Sequence, residues 1–201
     1  MKLANIKITF LLLFLASTAF SQYSWKLSKD KDGIKIYESD ITNSGFKSIK
    51  VECTLEGTYD KLLNAITDVS HHKDWVYNNK TAYIINRLSA TDFYYYTETY
   101  IPWPITNRDA VIHEKINRDS LNRFLSIEEK SEPDYIPEKS GLVRVPRSSV
   151  TWYVTMPTPA TISITYIFDA EPGGSIPACF VNMFVDKAPY ESFKKLSELL
   201  K

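Results

Sequence analysis

The chain has 201 residues, with 24 Lys and Arg against 24 Asp and Glu and a formal net charge of zero. That balance offers no basic stripe to a nucleic acid, and three His with two Cys in no ligand or redox spacing speak against a metal or thiol-redox centre. Tyrosine alone accounts for 13 residues, and the length suits one domain with a sizeable apolar interior.

Lys2 and Lys7 precede the apolar run Ile8 to Ala16, and Ala19-Phe20-Ser21 stands before Gln22. This pattern predicts a cleaved export signal over 1–21 and a mature domain over 22–201, periplasmic or secreted. The run is shorter than the roughly 18 to 20 residues that span a bilayer. Loss of Lys2 and Lys7 leaves 22 basic against 24 acidic side chains.

Lys31-Asp-Gly33 marks a turn before the alternating strand Ile34 to Tyr37. Phe46 to Glu56 alternates again, with Ile49, Val51, Cys53 and Leu55 on one face. Gly57 ends it, and Thr58 caps a helix through Asp68 that carries Leu62, Leu63, Ala65, Ile66 and Val69 inward. His71 to Trp75 reads as a polar connection with one large anchor. Strands follow at Tyr83–Asn86, Phe93–Ile101, Ala110–Ile116 and Arg123–Glu129, separated by short turns and pairing as an antiparallel meander. Pro102-Trp-Pro104 interrupts the series, and Ser131 to Gly141 is a loop. Val143–Val154 and Thr161–Asp169 are two further strands. After Pro172-Gly-Gly174, Ser175 and Pro177 open a terminal helix, with Ile176, Phe180, Met183, Phe184 and Ala188 on one stripe and Phe193, Leu196 and Leu200 on a second. The offset falls at Pro189, which predicts one helix with a kink there.

The fold class expected is α+β: a curved antiparallel sheet of about seven strands wrapped around a long C-terminal helix, enclosing an elongated interior. Tyr94, Tyr96, Glu98 and Tyr100 share one face of their strand, and Tyr95, Thr97, Thr99 and Ile101 the other. If the first face is the inner one, Glu98 needs a partner, and Arg108 is the nearest candidate. Cys53 and Cys179 either pair or stay as two buried thiols.

Asp32-Gly-Ile34 with Tyr37, Asp68 with Trp75, Tyr100-Ile-Pro-Trp-Pro-Ile-Thr-Asn-Arg-Asp109, Val143-Arg144 leading to Trp152, and Asp169-Ala-Glu-Pro-Gly-Gly-Ser-Ile-Pro177 with Asn182 together resemble the START (StAR-related lipid transfer) domain family. The resemblance spans the mature chain. It implies a helix-grip fold with a tunnel for one lipid, an acid and arginine pair on adjacent strands matched here by Glu98 and Arg108, and non-covalent lipid binding with no catalytic residue and no cofactor. Glu98 and Arg108 then orient a head group or serve as a structural ion pair. Phe180, Met183 and Phe184 form a ligand wall or plain core, with Tyr94 and Tyr96 along the same wall. Trp103 is a membrane-touching tip or a buried corner. The expected partners are a lipid or other hydrophobic small molecule and, transiently, a membrane, with the protein a monomer and no nucleic acid bound. Two alternatives stand beside this: a cyclase or dehydratase-like enzyme with Glu98 as base and Arg108 stabilising an oxyanion, and an interaction domain whose interior is filled.

Overall fold

Strand alternation and punctuation by Gly and Pro decide most of the architecture. The computed structural model describes residues 23–41, 44–119, 121, 123–183 and 185–201, without the side chain of Cys179. The expected export signal over 1–21 and Phe184, expected on the ligand wall, lie outside the described residues.

Strands β1 (Lys26–Lys31) and β2 (Ile34–Asp40) meet at Asp32-Gly33, whose φ angles of 54° and 76° are left-handed backbone that glycine takes without a Cβ clash. Strand β3 (Lys47–Glu56) buries Ile49, Val51, Cys53 and Leu55, as the alternation requires. Helix α1 (Tyr59–Thr67) starts where the Thr58 side chain accepts a hydrogen bond from the Lys61 N–H at 3.3 Å, and it turns Leu62 and Ile66 into the core. The segment after it is more ordered and more buried than a polar connection. A 3-10 turn (Val69–His71) and α2 (His72–Trp75) bury both His72 and Trp75. The His72 Nε2–H donates to the Ile66 carbonyl at 2.7 Å, so an imidazole stands in the interior with its polar edge satisfied.

The remaining strands are β4 (Asn79–Arg87), β5 (Asp92–Thr99), β6 (Arg108–Arg118), β7 (Leu125–Ser131), β8 (Val143–Arg144), β9 (Arg147–Thr158) and β10 (Thr161–Glu171). They form one sheet in the order β1-β2-β3-β10-β9-β7-β6-β5-β4, antiparallel throughout this path, while β8 pairs with β6 in parallel. The described residues thus hold ten strands where about seven were expected. Pro146, lacking an N–H, divides the expected strand Val143–Val154 into β8 and β9, and β1 adds a further edge.

The terminal helix is also divided. Helices α3 (Ala178–Asn182) and α4 (Lys187–Leu199) replace one kinked rod, and the interruption comes before Pro189. Pro189 lies in the first turn of α4, where no intrahelical donor is required, so it helps to start that helix and does not bend it. Tyr190, Phe193 and Leu196 are the buried face of α4. The Phe193 ring lies 5.4 Å from that of Trp152 on β9 and 5.3 Å from that of Tyr166 on β10. The expected arrangement of sheet against C-terminal helix therefore stands, with a larger sheet and a shorter helix.

Candidate functional site

Between α4 and the concave face of the sheet lies a cavity of about 480 Å³, a size that accepts one small molecule. That volume removes the reading in which the interior is filled. Alternation selects the lining: Tyr95, Thr97 and Thr99 from β5; Arg108, Ala110, Ile112 and Glu114 from β6; Trp152 from β9; Tyr166 and Phe168 from β10. Helix α2 contributes His72 and Trp75, and α4 contributes Phe193. Tyr100 and Phe180 line the cavity and are about half exposed, so the cavity reaches the surface between the loop after β5 and α3.

The expected site residues divide between the two faces of the sheet. Register sets Thr99 opposite Arg108 and Glu98 opposite Asp109, so Glu98 and Arg108 point to opposite sides. Glu98 is on the outer side, where it accepts from Lys80 Nζ at 2.8 Å and Asn107 Nδ2 at 3.1 Å. The expected Glu98–Arg108 pair is not formed. Tyr94 and Tyr96 share that outer face and stand outside the cavity. Tyr94 is stacked between His113 and Tyr135, each centroid 4.1 Å away. Tyr96 is fully buried against Tyr83, with Lys139 Nζ 3.6 Å from its ring centroid. Of the stripe expected at the start of the terminal helix, Phe180 on α3 lines the cavity, whereas Met183, just after α3, is 69% exposed and absent from the wall. Trp103, at 90% exposed, is a projecting tip and not a buried corner.

Arg108 does line the cavity. It is buried, and it donates to the Thr106 carbonyl at 2.5 Å and the Gly173 carbonyl at 3.3 Å, while its Nε has no partner. Burial pulls its pKa below the ordinary value. The buried ion pair of this region is a different one, Asp109 with Arg144, joined by two bonds of 2.9 and 3.0 Å on the outer face. Arg144 also donates to the carbonyls of Pro133 and Ile136, fixing the loop that covers that face. The turn at Gly173 packs over the same residue: a Cβ there would stand 2.9 Å from the Arg144 carbonyl, and φ is +69°.

Two acidic residues not anticipated as site residues face the cavity. Glu114 and Glu129 are directly opposite each other on β6 and β7. Glu129 accepts from the Tyr95 hydroxyl at 2.8 Å and from Trp152 Nε1–H at 3.0 Å, one bond to each oxygen. Glu114 has no exposed surface, and neither of its carboxyl oxygens has a hydrogen-bond partner. Burial first, and the facing Glu129 second, hold the Glu114 carboxyl well above the usual carboxylate range. Burial also raises Glu129, against the opposing pull of its two donors. Both were detectable in sequence as carboxylates on the apolar face of an alternating strand: Ala110, Ile112, Glu114, Ile116, and Leu125, Ile127, Glu129.

Cys53 is a free buried thiol, its pKa pushed up to about 12 by burial, so the disulfide alternative falls. Among the described residues no three His, Cys, Asp or Glu side chains are grouped to hold a metal ion, and no helix is long and apolar enough to cross a membrane.

This chain is 33% identical over 175 residues to an uncharacterized protein of Pseudomonas aeruginosa, covering 86% of this chain and 84% of that one. It is 26% identical over 172 residues to the phosphatidylcholine transfer protein of Mus musculus, covering 84% and 79%. Among solved structures, the STAR-related lipid transfer protein of Xanthomonas axonopodis, as a fragment, superposes with a TM-score of 0.80 at 29% identity, over 88% of this chain and 98% of that one. Human StAR-related lipid transfer protein 5 shares the fold alone, with a TM-score of 0.73 at 18% identity over 88% and 86%. The START domain model matches residues 7–201, nearly the full length, and the sheet, terminal helix and cavity between them agree with it: the chain belongs to the START domain family.

Proposed function

We propose that this protein is an exported, non-catalytic carrier that holds one hydrophobic lipid between its sheet and α4. The observation that carries this reading is the cavity of about 480 Å³, walled by Ile112, Trp152, Tyr166, Phe168 and Phe193 and reaching the surface beside Phe180. Apolar walls favour an apolar guest through the area both remove from water. The cationic Arg108 gives one end of the cavity an affinity for an anionic or strongly polar group. Lipid-transfer proteins among its relatives support the same class of ligand. The enzymatic alternative built on Glu98 as base loses its geometry, because Glu98 points away from the cavity.

The rim supplies the route. Tyr100, Trp103, Phe180 and Met183 are exposed apolar side chains on the loop after β5, on α3 and in the turn that follows it, the segments that flank the opening. Such a rim suits a brief encounter with a lipid surface, at which the guest enters or leaves. Export rests on Lys2, Lys7, the apolar run and the small residues before Gln22.

The test is native mass spectrometry of the full chain expressed with its leader and purified without detergent, followed by extraction and identification of bound lipid. A lipid adduct in one-to-one ratio, on a chain beginning at Gln22, is expected. A chain that neither carries lipid nor takes it up from vesicles overturns the carrier reading, and an intact leader overturns export.

A further inference from the structure

Strand β6 acts as a measured axis of the cavity. Arg108, Ala110, Ile112 and Glu114 occupy alternate positions on its inner face, and all four are buried. At the strand's rise per residue, the six steps from Arg108 to Glu114 cover about 20 Å. Between these two polar ends, β6 presents only a methyl group and an isoleucine to the cavity.

The two ends differ in charge and in what they leave unengaged. At one end the Arg108 guanidinium meets backbone carbonyls and no carboxylate, so its full positive charge lacks a counter-charge among the described residues. At the other end Glu129 accepts one hydrogen bond on each oxygen, from Tyr95 and Trp152, which is how an ionised carboxylate is stabilised. Its neighbour Glu114 has both oxygens free of partners and no exposed surface. Two carboxyl groups facing each other in an apolar wall do not both ionise, so the proton resides on Glu114. A neutral carboxyl group offers one donor and one acceptor, the complement of a hydroxyl group.

We propose that the cavity selects a single-chain amphiphile bearing an anionic group at one end, held by Arg108, and a hydroxyl group at the other, held by Glu114. This rests on the carrier reading above and narrows it to a ligand class. A guest ending in a methyl group leaves Glu114 unsatisfied. A second carboxylate meets the charge of Glu129, and an ammonium group requires Glu114 to ionise in an apolar surround.

The experiment uses the lipid-stripped full chain and displacement of a fluorescent fatty acid by four probes of one chain length: hexadecanoic acid, ω-hydroxyhexadecanoic acid, ω-aminohexadecanoic acid and hexadecanedioic acid. The hydroxy acid is expected to bind tighter than hexadecanoic acid by about tenfold, and the other two no better than hexadecanoic acid. In Glu114→Leu the hydroxyl preference should vanish while hexadecanoic acid still binds; in Glu114→Gln, which keeps a donor and an acceptor, it should persist. Equal binding of the first two probes, tighter binding of the amino acid or diacid, or a preference that survives Glu114→Leu overturns the assignment. The four-probe series on the unsubstituted protein decides the matter even if a substitution disturbs folding. If none of the probes binds but another lipid co-purifies, the two-ended assignment fails and the carrier reading stands; if no lipid binds at all, both fail.

Discussion

Asp109 and Arg144 illustrate how much one buried pair controls. Their side chains are 1% and 3% exposed, and Arg144 spends its other donors on the loop carbonyls of Pro133, Ile136 and Pro137. Arg144→Met strands the Asp109 carboxylate inside the protein and should cost about 3 to 5 kcal/mol of stability in urea unfolding. Glu114 leads to a prediction in pH. Its folded-state pKa lies above the ordinary value of 4.5, so the stability tied to its proton is complete below 4.5 and is lost as pH rises towards the folded value. Glu114→Gln removes that loss: its melting temperature should exceed that of the unsubstituted protein at neutral and mildly alkaline pH, and the difference should shrink on acidification. His72 works in the opposite sense, because burial lowers its pKa and its contribution disappears as pH falls below 6.5. At this scale the residue types were legible and the partners were not. Glu98, Arg108, Asp109 and Arg144 can all be seen to need compensation, but which of them meet depends on a register of one residue, and a shift of one exchanges the faces of the sheet. That single choice moved Tyr94, Tyr96 and Glu98 outside and brought Tyr95 and Thr97 inside.

Helix α4 owes its position to a narrow stripe, Tyr190, Phe193 and Leu196, more than to its helix propensity. Phe193 sits against both Trp152 and Tyr166 and also lines the cavity, so Phe193→Ala should destabilise the protein by about 3 to 5 kcal/mol in denaturant unfolding and enlarge the space available to a ligand. The second expected stripe, Phe193, Leu196 and Leu200, was readable in sequence, as was the alternation of β2, β3, β6 and β9. Two things were not. Proline marks a discontinuity without saying on which side it lies, and Pro189 begins a helix where a bend was expected. Pro146 likewise splits an expected strand, and the side-chain alternation shifts by one residue across it: Val145 faces the cavity before the proline, and Ser148, Val150 and Trp152 face it afterwards.

For the molecule as a whole, four exposed apolar side chains, Tyr100, Trp103, Phe180 and Met183, lie on the segments that flank the cavity's opening, while others are scattered over the rest of the surface. Trp103 projects furthest, and Trp103→Ala should reduce binding to lipid vesicles in a flotation assay severalfold while leaving the melting temperature within about 1 °C, since an exposed side chain contributes little to folding. The overall plan was legible because a meander followed by a Gly-rich turn and a terminal helix has few ways to bury its apolar faces. The cavity within it was less so, since an apolar stripe reads the same whether it packs on protein or on a guest.

The order of the sheet leaves β1 and β4 as its two outermost strands. Strand β1 carries Lys26, Lys29, Asp30 and Lys31, and its register with β2 shifts between Leu27 and Lys29. Strand β4 carries Lys80 and Arg87, and its register with β5 slips twice, between Asn79 and Thr81 and between Ile84 and Asn86. Irregular, charged margins are poor templates for a foreign strand. Concentrated solutions should therefore remain free of fibrils, and sedimentation should give the mass of a single chain across a wide concentration range.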